Sequence, residues 1–266
     1  MGALEFLYES MPGRILLAPL VSRPVSRLVG AFLDTPLSKP LIKPFVKRNP
    51  IDLNEFLLDG ITSFNGFFTR PIKPGRRPID MDEGVLISPC DGLLSVHTIE
   101  QDSVYPVKQA EYRISDLVCD KTLAERFDGG CCLVFRLRVE HYHRYIYPVS
   151  GTQESSVRIQ GVYHTVRPVA LRTRPVFIEN TREYTVLHHG FGMMAQVKVG
   201  ALLVGRIENH RRSSGAIERG DEKGMFEYGG STIILLTEPG SCTPFDRYAD
   251  GAEHPVRLGE AVARFG

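Results

Sequence analysis

The sequence predicts an α+β protein in which amphipathic N-terminal helices precede a mainly antiparallel β core. Three observations carry this. Apolar residues in the N-terminal region recur at helical spacing. Beyond Gly84 they recur at every second position, in short runs separated by glycine-rich turns. The chain has 266 residues, 42% hydrophobic and 24% charged, enough for one domain with a substantial core plus an appendage.

Residues 14–50 hold Arg14, Arg23, Arg27, Lys39, Lys43, Lys47 and Arg48 against Asp34 alone, interleaved with Ile15, Leu16, Leu20, Leu28 and Phe32. Such a segment can lie in a membrane interface, its lysines and arginines on anionic headgroups. It can equally pack its apolar face on a core and leave the charges solvated, and the pattern alone does not separate the two. Residues 53–70 place Leu53, Phe56, Leu57, Ile61, Phe64 and Phe67 at helical spacing before Pro71 and Pro74, so one helix is expected there. Strands are expected within 85–96, 131–147, 158–166, 184–187, 193–208 and 226–237. Leu133, Phe135, Leu137 and Val139 alternate with Val134, Arg136, Arg138 and Glu140, and Ala195, Val197 and Val199 with Gln196 and Lys198, as half-buried strands would. The residues after Pro239, rich in Pro, Asp and Glu, read as a mobile surface tail.

Composition narrows the function. A formal net charge of +1, with Lys and Arg spread along the chain, argues against a dedicated nucleic-acid binder. Cys90, Cys119, Cys131, Cys132 and Cys242 are odd in number, contain no Cys-x-x-Cys pair and follow no cleavable signal sequence, which fits a reducing compartment. His141 and His143 are too short a pair for half of a zinc site, so no metal is expected. No run approaches the ~18 apolar residues of a membrane span. Phe6 stands where an acylation signal after Met1-Gly2 takes Ser or Thr, so no myristoyl anchor is expected.

The run Glu222-Lys-Gly-Met-Phe-Glu-Tyr-Gly-Gly-Ser-Thr232 ends in two glycines placed directly before a hydroxyl, between apolar strands. Glycines in a strand usually mark a bulge or a close backbone approach. The chemical alternative is attack by the Ser231 hydroxyl on the Gly230 carbonyl, which needs a strained turn and a base. Breakdown of the resulting ester would cut the chain and leave a pyruvoyl group on residue 231. Asp91 and His143 are the leading candidates to assist. Asp91 lies in Ser88-Pro-Cys-Asp-Gly92, which also reads as an ordinary Asx turn. His143 continues the inward face of its strand, where a histidine bonded to a carbonyl is the structural alternative.

Asn65-Gly-Phe-Phe-Thr-Arg70 with Arg77-Pro78, Ile87-Ser-Pro-Cys-Asp-Gly92, His141-Tyr-His-Arg144 and the Gly-Gly-Ser-Thr run occur in an order and spacing that resemble phosphatidylserine decarboxylases, over roughly residues 50 to 240. The branch resembled is the pyruvoyl-dependent bacterial proenzyme. The resemblance implies a β core of barrel-sandwich-hybrid type, self-cleavage between Gly230 and Ser231, and a pyruvoyl cofactor derived from Ser231. It gives Asp91, His143 and Ser231 as the site, with Asp91 orienting a base and His143 reprotonating the product carbon. It also implies an N-terminal helical membrane-associating region at 1–80, a catalytic core at 81–240 and a tail at 241–266. The partners implied are a phospholipid, a membrane surface, the two cleaved fragments 1–230 and 231–266 held together, and a homodimer. The location implied is peripheral, on the cytoplasmic side of the cytoplasmic membrane. Arg144, Arg167 and Lys108 are available for a lipid phosphate.

One departure stands out. The family usually carries a second histidine, assigned to self-cleavage, three positions after the first, and here that position is Ile146. Isoleucine accepts no proton, so His143 does both jobs, His141 substitutes, or the chain matures slowly or not at all. The alternatives to a phospholipid substrate are a free amino acid such as tryptophan, or an uncleaved, inactive lipid- or protein-binding module.

Overall fold

The computed structural model describes residues 2–100, 104–107, 110–201, 206–229 and 231–266. Helices Ala3–Glu9, Met11–Leu20 and Arg23–Leu33 follow one another with almost no linker. The Ser10 hydroxyl accepts from Gly13 N at 3.0 Å, capping the second helix, and donates to Phe6 O at 2.7 Å, closing the first. Gly13 permits the sharp angle between them, because a Cβ there would lie 1.9 Å from the Phe6 carbonyl oxygen. Tyr8, Leu17, Val21 and Leu33 face inward. The Tyr8 hydroxyl accepts from Thr165 N at 3.0 Å and donates to His164 Nδ1 at 3.2 Å, pinning the first helix to the body. Most of the remaining apolar side chains point outward: Met11, Ile15, Leu16, Leu28, Phe32 and Leu37 are exposed. The helices are therefore amphipathic in an inverted sense, with much of their apolar surface away from the core.

The single helix expected over 53–70 is instead a turn at Leu53–Glu55 and a short helix at Phe64–Phe68. Gly60, at φ +76°, interrupts the run, and Phe56 pairs with Ile72 in an isolated bridge. The aromatic residues serve two separate clusters, which one straight helix could not reach. Phe56 joins Val85, Ile87 and Ile146, whereas Phe64 and Phe68 join Leu33.

The β core is a nine-stranded sheet in which all pairs are antiparallel. Ser231–Thr237 lies between Gly192–Val199 and Cys131–Leu137, and Gly92–Thr98 and His254–Val256 follow on the far side. Among the described residues this strand order is open, with an edge at each end. The expected half-buried alternation is not realised. Val134 and Arg136 are buried along with Leu133 and Phe135, and Gln196 and Lys198 are fully buried. Both faces of the central strands are covered, so their polar residues are paired inside. Arg136 forks onto Glu253 at 2.9 and 2.6 Å, and Lys198 Nζ donates to Thr185 Oγ1 at 3.0 Å beside Glu183. Burial lowers the Lys198 ammonium to about 8, against the opposing pull of Glu183.

The strand expected over 131–147 ends at Leu137 and resumes as Arg144–Ile146 in a different sheet, with Glu222–Phe226 and Ile207–Asn209. Residues 202–205 of the strand expected over 193–208 lie outside the described residues. The mobile tail expected after Pro239 is corrected by three strands, Cys242–Pro244, His254–Val256 and Ala261–Phe265. Ala261–Phe265 pairs with Val85–Ile87 and with Cys242–Pro244, His254–Val256 pairs with Gly92–Thr98, and Val256, Val262 and Ala263 are buried. Two of these strands find partners far away in sequence, His254 opposite Leu94 and Arg264 opposite Val85, which local pattern does not reveal.

Candidate active site

Ser231 opens its strand opposite Leu137, and the next residue, Thr232, lies opposite Val199. The Ser231 side chain is fully buried, and its Oγ has no hydrogen-bond partner among the described residues; the same holds for Thr232 Oγ1. A buried hydroxyl left unpaired is destabilising by roughly 1–3 kcal/mol, so its persistence points to chemistry. Gly229 sits at φ +125°, a conformation open to glycine and strained for other residues. Gly230, the other half of the expected cleavage bond, lies outside the described residues.

The approach to this bond is held by Asn65. Its Oδ1 accepts from Tyr228 N at 3.3 Å, while its Nδ2 donates to Asp34 Oδ1 at 2.9 Å. One amide thus joins helix Arg23–Leu33, helix Phe64–Phe68 and the turn before Ser231. The Tyr228 ring meets Phe64 and Phe68 edge-on at 4.9 and 5.1 Å.

Phe68 also carries His143, whose ring centroid is 3.9 Å from its own. His143 is fully buried, and its Nδ1–H donates to the His141 carbonyl at 2.9 Å. That bond leaves the lone pair on Nε2, which has no partner among the described residues. Burial, then the nearby Arg70 charge, hold the imidazolium form well below the usual 6.5, so the ring is a neutral base at physiological pH. Ser231 and His143 thus present two buried polar atoms with no partner among the described residues, a nucleophile and a base; His143 stacks on Phe68, and Ser231 follows by three residues Tyr228, whose ring also meets Phe68.

His141 is arranged differently. Its Nδ1 accepts from Arg138 N at 3.1 Å, so the neutral ring carries its proton on Nε2 and has no lone pair to offer. Burial lowers its pKa as well. Ile146 is buried with Phe56, Val85, Ile87, Tyr142 and Leu258, and its position is one of core packing.

The structure does not bring Asp91 into a hydrogen bond with either His143 or Ser231. Its carboxylate accepts from Arg77 Nε and Nη2 at 2.8 and 2.6 Å and from Leu258 N at 2.9 Å. Arg77 reaches Glu55 as well, at 3.1 Å. Asp91 thereby ties the start of the sheet to the segment before it and to the C-terminal loop. Asp91→Ala would strand a buried arginine, and a loss of about 3 kcal/mol is expected in urea denaturation. An unchanged midpoint would mean that the pair is not structural.

Arg70 escaped recognition as a site residue, although it closes the run Asn65-Gly-Phe-Phe-Thr-Arg70. It is fully buried, lies 4.1 Å over the Phe56 ring, and donates to the carbonyls of Phe67 and Glu140 at 3.3 Å. Burial lowers it to about 10, and it fastens helix Phe64–Phe68 to the loop that presents His143. Of the phosphate candidates, Arg144 is committed to Glu222 at 2.9 Å and to Thr69 O at 2.8 Å. Arg167 lines a cavity of about 300 Å³ with Arg138, and Lys108 lies outside the described residues.

Residues 64–264 match the sequence model of the family described as phosphatidylserine decarboxylase. A phosphatidylserine decarboxylase proenzyme 2 from Clostridium acetobutylicum is 41% identical over 237 residues, covering 88% of this chain and 81% of the relative. A phosphatidylserine decarboxylase proenzyme from Fusobacterium nucleatum is 37% identical over 243 residues, covering 89% and 81%. One from Clostridium botulinum is 38% identical over 219 residues, covering 80% and 74%. The fold and the matches define a decarboxylase of mixed helix and antiparallel sheet. The chain belongs to the phosphatidylserine decarboxylase family.

Proposed function

We propose that the chain is a proenzyme that cuts itself between Gly230 and Ser231 and then converts phosphatidylserine to phosphatidylethanolamine and carbon dioxide. The observation that carries this is that two buried atoms, Ser231 Oγ and His143 Nε2, have no partner among the described residues, with Gly229 two positions before Ser231 at φ +125°. High identity to phosphatidylserine decarboxylase proenzymes over most of the chain favours the lipid over a free amino acid.

His143 Nε2 takes the Ser231 hydroxyl proton as Oγ attacks the Gly230 carbonyl. Transfer of the acyl group to oxygen frees the Ser231 amine and gives an ester. Loss of the Ser231 Hα expels the Gly230 carboxylate and breaks the chain. The residue left at 231 tautomerises to an imine, and water releases ammonia from it, leaving a pyruvoyl group. That group supplies a carbonyl that condenses with an amine and draws the electron pair left when carbon dioxide departs. After cleavage His143 is free to return a proton to the product carbon, so one histidine serves both stages. Asn65 and Arg70 are positioning residues, and Asp91 braces the strand that leads away from the site. Ser231–Thr237 is central in the nine-stranded sheet, His254–Val256 pairs at its edge and Ala261–Phe265 pairs with Val85–Ile87 in a separate sheet, which supports fragments 1–230 and 231–266 staying together. We carry the finer assignments, a barrel-sandwich-hybrid core and a 1–80 membrane-associating region, as part of the same reading.

Intact mass tests the cleavage. Two fragments are expected, the smaller starting at position 231 and lighter by one ammonia than a serine-started peptide. A single uncut chain in a freshly matured sample would refute it.

We place the enzyme peripherally on the cytoplasmic face of the cytoplasmic membrane. Among the described residues no single helix is long and apolar enough to cross a membrane. The support is the outward apolar surface of helices Met11–Leu20 and Arg23–Leu33, where Ile15 and Leu28 are each 74% exposed. Ile15→Glu with Leu28→Glu is expected to leave folding and self-cleavage intact and to abolish flotation with phosphatidylglycerol vesicles. Undiminished flotation would move the contact elsewhere.

A further inference from the structure

We propose that the cavity between helix Arg23–Leu33, strand Val157–Ile159 and the Tyr228 turn binds the phosphodiester of the substrate lipid through Arg27, Arg158 and the Ser26 hydroxyl. The proposal rests on the decarboxylase reading above and assigns the headgroup subsite within it.

The cavity holds about 440 Å³. The helix presents Arg23, Ser26, Arg27, Gly30, Ala31 and Asp34 to it, a stripe with the three- and four-residue spacing of one helical face. Small residues at Gly30 and Ala31 leave the room. Ser26 is fully buried, yet its Oγ has no hydrogen-bond partner among the described residues. An orphaned hydroxyl on the wall of a cationic cavity is a donor awaiting an acceptor.

Four arginines line the cavity against the carboxylates Asp34 and Glu227, and they are not equivalent. Arg206 is spent on Asp34, Glu208 and Glu227, at 3.6, 2.7 and 3.4 Å. Arg23 gives its Nε to Gly161 O at 3.0 Å. Arg27 and Arg158 are exposed and make no ion pair with a described residue. Guanidinium groups favour two-point binding of phosphate oxygens, and two uncommitted ones at one cavity define an anion site. Glu227 opposes an anion less than its formal charge suggests, because burial pushes its carboxyl up to about 7.

Position selects the anion as a lipid phosphodiester. The cavity reaches Asn65 and Tyr228, the residue three before Ser231, so a headgroup held there extends toward the reactive position. The same helix exposes Leu28 and Phe32, apolar surface for acyl chains beside Arg27. A phosphate on Arg27 therefore sits between the chemistry and the membrane.

The test compares the mature wild-type enzyme with Arg27→Gln/Arg158→Gln, Ser26→Ala and Arg167→Gln, all first shown by mass to have self-cleaved. On micellar phosphatidylserine the double variant is expected to raise KM at least about tenfold, as lost charge-assisted bonds do, with kcat within about twofold. Ser26→Ala should raise KM by about threefold or more, and Arg167→Gln should not change it. Glycerophosphoserine should compete in the wild type and not in the double variant, whereas equal competition by inorganic phosphate would reduce the cavity to a free-anion site and overturn the assignment. An unchanged KM in the double variant, or a raised one in Arg167→Gln, would overturn it as well. Calorimetry of glycerophosphoserine on uncleaved Ser231→Ala, with and without the two arginine substitutions, separates the two levels. Arginine-dependent binding there upholds the cavity even if the wild type fails to decarboxylate, and arginine-independent binding or none overturns it.

Discussion

Ser231→Ala is expected to remain one chain of 29.8 kDa with no decarboxylase activity. The substitution removes the only atom that can carry the acyl group from nitrogen to oxygen in this step and the only source of the pyruvoyl carbonyl, so both properties should vanish together. Folding should not suffer. The hydroxyl is buried without a partner among the described residues, and exchanging it for a methyl group removes an unsatisfied polar atom without opening a large cavity. The thermal midpoint is therefore expected to be unchanged or raised. Mass spectrometry, calorimetric melting and carbon dioxide release check the three parts. A cleaved Ser231→Ala chain would show that the scissile bond lies elsewhere, and a lowered midpoint would show that the hydroxyl holds the fold.

His143→Gln should slow cleavage by about 10²- to 10⁴-fold, the usual contribution of a positioned base, while His141→Ala should leave the rate almost unchanged. The distinction follows from the two lone pairs: Nε2 of His143 has no partner among the described residues, whereas Nδ1 of His141 is occupied by Arg138 N. The pH profile carries a second signature. Because burial and Arg70 hold His143 well below 6.5, the ring remains a base as pH falls through 6.5, and the cleavage rate should stay level there and decline only in more acidic solution. The stability sign is consistent. In the unfolded chain the imidazole takes a proton near 6.5, while the folded chain resists it, so the stabilising contribution is complete above 6.5 and is lost as pH falls toward the folded value. A cleavage midpoint near 6.5 would show a solvent-exposed base, and full cleavage of His143→Gln would remove His143 from the step.

Much of this protein was legible in local pattern. Period-two runs marked the strand Cys131–Leu137 and its neighbours, helical spacing marked the N-terminal segment, and the ordered motifs led to Ser231 and to the family. Partnership was not legible. Asp91 in a Pro-x-Asp-Gly turn looks the same whether it orients a histidine or, as here, clamps Arg77. Arg70 and Asn65 are polar letters in an aromatic run, and only the packing of Phe56, Phe67 and Tyr228 around them shows that both are buried fasteners. The run 53–70 satisfied helical spacing, yet the clusters that take Phe56 and Phe68 lie in different places, and burying both outweighs the local preference.

By itself the sequence indicated the N-terminal helices, most of the strands, the candidate serine at 231 and the absence of a second histidine at Ile146. Tertiary structure decided which histidine keeps a lone pair with no partner among the described residues, that Arg27 and Arg158 line a cavity without an ion pair to a described residue, and that the residues after Pro239 form strands in two sheets. The reason is physical: propensity and periodicity act over a few residues, whereas the lone pair on His143, the surroundings of Arg27 and Arg158, and the strands after Pro239 are settled by neighbours that arrive from far along the chain.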